Sequence, residues 1–459
     1  STGNWLAWHK EVNPGYGISD LTLAFTAGAN GFFNAVADTY FETSWLNNSG
    51  GTFVAYLFAH NDSGDGEFGP DGDQDIIKCG SYTGNGSADG PEINLGFEAQ
   101  WVMLKRTDST ADWVMQDVMR GMIMDSGGAY IKANEPQAEF ATTGYIQPEP
   151  TGFKVRGTGS GQANASGGNY IYMAIRRGPL APPTAATEVF APNFYGTSGY
   201  VGYLGAPVDM SMLGYPASGG SKNAIITARI LPNTNASLGV GLVTSSTAAE
   251  TALNMTYDNM VGVSPVGAYS TNIISWNWKR APGFFDVVAW TGVAGTAQTI
   301  NHNLGVVPEM IWTKRRNATS GWIVYNKTIT ATNWLALHDD RASGALSTAW
   351  NNTEPTASSF TAGQTVSATG APVIAYLFAT LAGVSKVGSA THSSTTNVDC
   401  GFSAGARFVL LKRTDATGDW YLWDSVRGII AGNDPYLLLN STAAQVTNTD
   451  YIDPLSSGF

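Results

Sequence analysis

A chain of 459 residues, 43% hydrophobic and only 13% charged, can bury several cores and is not disordered. With 24 basic against 36 acidic residues its net charge is −12, which excludes a basic nucleic-acid binder. Its 54 glycines and many aromatics, Thr and Asn suit an extracellular-type β protein rich in turns and exclude a coiled coil.

In chain order, the first landmark is STGNWLAWHK, residues 1–10. It matches the second half of a motif that recurs downstream. An apolar strand, TFVAYLFA, follows at 52–59. Next comes an acidic loop, NDSGDGEFGPDGDQD at 61–75, with no basic residue. WVMLKRTDSTADWVMQDVMRG at 101–121 reads as a hairpin: two runs of β-forming residues flank a run of turn formers. A second apolar strand, NYIYMAIRR, occupies 169–177. GPLAPPTAAT at 178–187 is a linker, because its prolines cannot donate to a ladder. Further strands are NIISWNWKR at 272–280, FFDVVAWTG at 284–292 and PVIAYLFA at 372–379. The only helical candidate, near Asp424 to Ile430, is short.

These landmarks repeat. FVLLKRTDATGDWYLWDSVRG at 408–428 is identical to 101–121 at 12 of 21 positions, and MIWTKRRNATSGWIVYN at 310–326 is a weaker copy. In each, Lys105, Lys314 or Lys412 precedes Trp113, Trp322 or Trp420 by eight residues. Aligning Phe58, Ile175, Trp278 and Phe378 gives spacings of 117, 103 and 100 residues. The chain therefore divides into a partial copy at 1–61, a second at 62–178 with the acidic loop at its start, a divergent third at 179–283, a fourth at 284–381 and a partial fifth at 382–459. The third lacks the Lys-to-Trp motif. The expected fold is all-β: tandem antiparallel β-sandwiches of jelly-roll or lectin-like type. Both terminal copies lack strands that whole copies have. A longer parent chain is expected, with strand exchange between copies as the alternative.

Several strings resemble repeats in tail-associated virion proteins of tailed bacteriophages. They are KCGSYTGNGSADGP at 78–91, WVMLKRTDSTADW, NASGGNYIYMAI at 164–175, KRAPGFFDVVAWTG at 279–292 and INHNLGVVPEMIW at 300–312. The resemblance covers nearly the whole chain. It implies lectin-like (concanavalin-like) sandwich arrays on a virion appendage, with a structural or adhesive role and no catalytic residues.

The acidic loop is the sharpest local feature. Asp71, Asp73 and Asp75, with Asp65 and Glu67, place carboxylates around tight glycine turns, a pattern that can supply calcium with oxygens. A solvated acidic loop is the alternative. The aligned segment TLAGVSKVGS at 380–389 has no acid, so the fold does not require the charges. Trp113, Trp322 and Trp420 are expected to fill the sandwich cores, with sugar stacking as the functional alternative. Lys105, Arg106, Asp112, Asp117 and Arg120 recur as Lys412, Arg413, Asp419, Asp424 and Arg427 and read as an ion-pair lattice on one sheet face. His302 and His392 have no partner at metal spacing. Cys79 and Cys400 form neither a disulfide framework nor a zinc pattern and read as buried thiols in apolar strands.

The sequence contains no HExxH, P-loop, GxSxG or ExDxE motif, so no enzyme is expected. No apolar run reaches the ~18 residues of a membrane span. The expectation is therefore a bacteriophage virion structural protein on the virion surface, outside the cell. It would form part of a tail fibre or other tail appendage that attaches to a host-surface glycan or protein receptor. Homo-oligomers, trimers among them, and other virion proteins are the expected partners. The glycan-binding residues are unknown. The alternatives are a capsid-decorating or head-fibre protein, a glycan-cleaving tailspike enzyme, and a secreted bacterial carbohydrate-binding adhesin.

Overall fold

The computed structural model describes residues 5–12, 15–18, 21–27, 33, 35–37, 39–43, 51–61, 68–124, 128–140, 144–195, 200–216, 224–231, 239–257, 259–266, 272–293 and 295–459. It divides into two compact units, Ser1–Gly178 and Pro179–Phe459. Every pairing between named strands is antiparallel, and the only α-helix among the described residues is the single turn Ser347–Trp350. The helical candidate at 424–430 is instead a turn. Asp424 Oδ1 accepts from the backbone N–H groups of Val426 and Arg427, at 3.0 and 2.9 Å, and closes the chain locally.

In the first unit, the second repeat is a sandwich. Its larger sheet orders Ile131–Lys132, Trp113–Asp117, Ala99–Arg106, Asn169–Arg176 and Ile77–Thr83. Its smaller sheet orders Ile146–Glu149, Gly152–Val155 and Glu92–Asn94. The period-two pattern explains the core. Val102, Leu104 and Ala174 point inward from the larger sheet onto Ile93, Phe153 and Val155, and all six are buried. The apolar strand Asn169–Arg176 is central, paired on both sides. That position accounts for its continuous hydrophobic run.

The second unit repeats this plan. The third repeat has a six-stranded sheet in the order Phe190–Phe194, Ile274–Trp278, Met210–Gly214, Ile225–Ala228, Gly239–Val243 and Thr251–Leu253. The fourth orders Phe285–Thr291, Pro372–Phe378, Met310–Arg315, Ile323–Asn326, Asn333–Ala336 and Gly344–Ala345. It packs against the pair Gln298–Asn301 and Ser359–Ala362. Trp290, Ile311, Tyr325, Phe360 and Val373 fill the space between. In the fifth, the described sheet is Phe408–Lys412, Trp420–Asp424 and Leu437–Leu438.

These three repeats meet around one aromatic centre. Trp278 lies 5.4 Å from Phe408 and 6.5 Å from Phe378 between ring centroids, and Phe285 lies 5.1 Å from Phe378. Trp278 and Phe378 are equivalent positions of two repeats.

Candidate functional site

The recurring lysine and tryptophan do not serve the sandwich cores. Trp113, Trp322 and Trp420 are buried, yet none belongs to the apolar cluster between the sheets of its own repeat. The expectation that they fill those cores is therefore corrected. Strand alternation turns them to the opposite face of the larger sheet, against the preceding repeat. Phe25 packs on Trp113 at 6.0 Å. Trp322 Nε1 donates to Val243 O at 2.9 Å, and Trp420 Nε1 donates to Ala336 O at 2.7 Å. With their faces covered, these rings offer no open platform for a sugar.

Each lysine stands beside its tryptophan. Lys105 pairs with Trp113 and Lys412 with Trp420 across the hairpin. The ammonium makes two hydrogen bonds to backbone. One reaches a carbonyl six residues on, in the hairpin's own loop: Ala111, Ser320 or Gly418. The other reaches a carbonyl of the previous repeat: Thr22 O at 3.1 Å, Thr247 O at 2.8 Å or Asp340 O at 2.9 Å. The same three carbonyls also accept the N–H of Ala111, Ser320 and Gly418, each at 2.8 Å. Burial pushes Lys105 and Lys314 down to about 8, and it lowers Lys412 as well.

A cap orients each tryptophan. Asn134 Oδ1 accepts from Trp113 N at 2.7 Å, and Asn440 Oδ1 from Trp420 N at 2.9 Å. Their amides donate in turn to Asp112 and Asp419, at 2.9 and 2.8 Å. In the fourth repeat His338 Nδ1 takes the asparagine's place, 3.1 Å from Trp322 N. Burial lowers the His338 pKa, which favours the neutral ring that can accept there.

The divergent third repeat explains itself in register. Met210 pairs with Trp278 as Met310 pairs with Phe378, so Gly214 stands where Lys314 stands. Leu213 pairs with Ile225 as Thr313 pairs with Ile323, so Ala224 replaces Trp322. A Cβ on Gly214 would lie 2.7 Å from Trp276 and 3.0 Å from Leu437. A lysine does not fit there. The joint from the fifth repeat to the third instead uses Thr244 Oγ1 donating to Leu439 O at 2.6 Å, with Trp276 Nε1 donating to Asp424 Oδ2 at 3.1 Å. Repeats three, four and five thus close on one another.

The expected ion-pair lattice is corrected in part. Asp117–Arg120 at 2.7 Å and Asp424–Arg427 at 2.6 Å do pair. Arg106 and Arg413 turn instead to Asp108 and Asp415, and Asp112 pairs with Lys132. The lysines are drawn under the loop by carbonyls.

Of the acidic loop, Asp65 and Glu67 lie outside the described residues. Asp75 pairs with Lys78 at 3.0 Å, and the Arg176 guanidinium donates to Asp75 O at 3.4 Å. Among the described residues no three His, Cys, Asp or Glu side chains gather as a metal site. His302 is buried, 3.2 Å from Thr356 O, and His392 is exposed, 3.2 Å from Thr396 Oγ1. Both cysteines are free and half-buried rather than buried. Cys79 lies in the strand Ile77–Thr83, whereas Cys400 lies outside any named strand.

Fold and joint together define a tandem β-sandwich protein whose repeated motif locks the second, fourth and fifth sandwiches each onto the one before it. The chain belongs to the DUF7483 family, a domain of unknown function, whose model matches residues 1–179 and 243–459. The unmatched stretch falls in the third repeat and contains Gly214 and Ala224. No curated protein matches the chain.

Proposed function

We propose that this chain is a structural protein of a bacteriophage virion, part of a tail fibre or another tail appendage, presenting rigid β-sandwich repeats to a host-surface glycan or protein receptor. One observation carries the reading. The most repeated motif is devoted to holding neighbouring sandwiches in fixed relation, as a load-transmitting appendage requires. The resemblance of several strings to tail-associated virion proteins supports the setting. A fixed array of weak contacts gains avidity through effective concentration, so no single deep site is needed.

The test has two arms. Mass spectrometry of purified particles of the phage that encodes the chain should find its peptides in the particle. The purified chain should slow adsorption of that phage to its host. Absence of the peptides from particles overturns the virion assignment. Presence without any effect on adsorption moves the chain to a scaffolding or capsid-decorating role.

A further inference from the structure

We propose that His338 is a pH switch for the seam between the third and fourth repeats. The neutral ring locks Trp322 into the seam. The protonated ring releases it, while the seam between the fourth and fifth repeats stays closed. Three observations carry this.

The first is the bond that the ring makes. Trp322 N donates to His338 Nδ1 at 3.1 Å. An imidazole nitrogen accepts only while it carries no proton, so the neutral ring keeps its proton on Nε2. A second proton must go to Nδ1. There it would meet the Trp322 N–H as donor against donor, and the bond is lost. The ring is also packed tightly in place. A Cβ on Gly321, beside Trp322, would lie 2.7 Å from His338 Cε1.

The second is where that bond sits. Trp322 Nε1 donates to Val243 O of the third repeat at 2.9 Å. In the same hairpin loop Ser320 N donates to Thr247 O at 2.8 Å, and Lys314 reaches the same carbonyl. The charges that act on His338 are Lys314 from the lysine strand, with Asp339 and Arg341 from its own segment. Residues 317–322 bring none. Glu250 of the third repeat is taken up by Arg316, at 2.9 Å. Asp339 Oδ2, 3.8 Å from Nε2, favours the imidazolium. Burial, with Lys314 and Arg341, outweighs it and holds the ring below the ordinary 6.5.

The third is contrast. Asn134 and Asn440 cap Trp113 and Trp420 with amides, which do not titrate. Asp340, two residues beyond His338, gives its carbonyl to Lys412 and Gly418, at 2.9 and 2.8 Å. The segment is therefore still held from the fifth repeat when the ring lets Trp322 go. A ring freed to water regains its ordinary pKa. The open form then holds more protons than the closed one, so opening is favoured as pH falls below 6.5. At pH 5 this linkage favours the open form by at most about thirtyfold.

The experiment is hydrogen exchange on the full chain at pH 7.5 and pH 5.0, with rates corrected for intrinsic chemistry. Peptides spanning 318–324 report the switched seam, and those spanning 416–422 report its amide-capped counterpart. In wild type, protection of 318–324 relative to 416–422 should fall at least fivefold at pH 5.0. His338→Asn supplies the cap of the other two seams and should hold that ratio within twofold. Lys314 and the fourth repeat's other buried histidine, His302, are present in both chains, so their own titrations cancel. The wild-type comparison needs no variant. If the asparagine chain differs from wild type in its circular-dichroism spectrum at pH 7.5, His338→Gln takes its place. A wild-type ratio that does not change with pH overturns the proposal. So does an equal fall in the amide-capped variant.

Discussion

Lys412 and Asp340 meet through the wrong oxygen for an ion pair: the ammonium lies 2.9 Å from the backbone carbonyl of Asp340. That carbonyl already accepts Gly418 N–H at 2.8 Å. The lysine therefore completes a peptide group of the preceding repeat and needs no particular side chain there. The equivalent acceptors, Thr22 and Thr247, are threonines.

Removing one such lysine should loosen the joint. Lys314→Met keeps the apolar stem and deletes donors to Thr247 O and Ser320 O. The expected loss is about 1–3 kcal/mol of unfolding free energy in urea titrations. Lys327→Met, on an exposed ammonium that pairs with Glu309, should stay within about 0.5 kcal/mol of wild type. Equal effects of the two would remove the joint's special standing.

The same lysines predict a pH dependence. Their folded-state pKa lies below the unfolded one, near 8 against 10.5 for Lys314. Between those values the unfolded chain holds more protons, so stability rises with pH across that window and the gain is lost as pH falls through about 8. Tyrosines raised by burial, such as Tyr172 at about 12, act in the opposite sense above pH 10. The clean readout is thus wild type minus Lys314→Met. That difference should grow in favour of wild type from pH 8 to 10.5, and a flat difference would refute the buried-lysine account.

Glu149 makes an independent case in the first unit. Burial raises it to about 7, against a hydrogen bond from Gln147 Nε2 at 2.7 Å that pulls it down. A raised carboxyl pKa means stability is complete below about 4.5 and is lost as pH climbs towards 7. Glu149→Gln should therefore stabilise the chain at pH 8 and be neutral at pH 4. Thermal melts at the two values decide it.

The tryptophan joint can be probed one bond at a time. Trp322→Phe keeps a large ring and loses the Nε1–H bond to Val243 O. A cost of about 0.5–1.5 kcal/mol is expected for the lost bond, since Val243 O keeps the N–H of Ser246 at 3.3 Å. Amide exchange should quicken in both the third and fourth repeats, whereas a core-filling ring would affect the fourth alone.

The calcium expectation for Asp71, Asp73 and Asp75 carries its own control. Calcium should raise the melting temperature of the first unit, EDTA should reverse the rise, and Asp73→Asn should abolish it. The second unit should not respond, because its aligned segment has no acid. An unchanged first unit removes the calcium reading and leaves Asp75 to its ion pair with Lys78.

Strand content and the hundred-residue period were legible because apolar strands such as 169–177 and 372–379 are central in their sheets and buried on both faces. The joint was only half legible. The repeated Lys105, Lys314 and Lys412 announced a role, but a backbone carbonyl 67 to 83 residues away carries no signature in its residue type. The acceptors could be found only by folding the chain. The missing motif of the third repeat was visible as an absence. Its reason, the space that Trp276 and Leu437 occupy beside Gly214, is tertiary.

The direction of the joint bears on how the protein is made. Each of the three joint lysines reaches back to a carbonyl translated earlier, so the second, fourth and fifth sandwiches, on leaving the ribosome, each meet an acceptor that has already emerged. Assembly can proceed as a one-way ratchet during synthesis, with the bond from Thr244 to Leu439 formed last. A nascent chain halted anywhere along its length would then already carry its finished joints, and a slow stretch of message would do little harm.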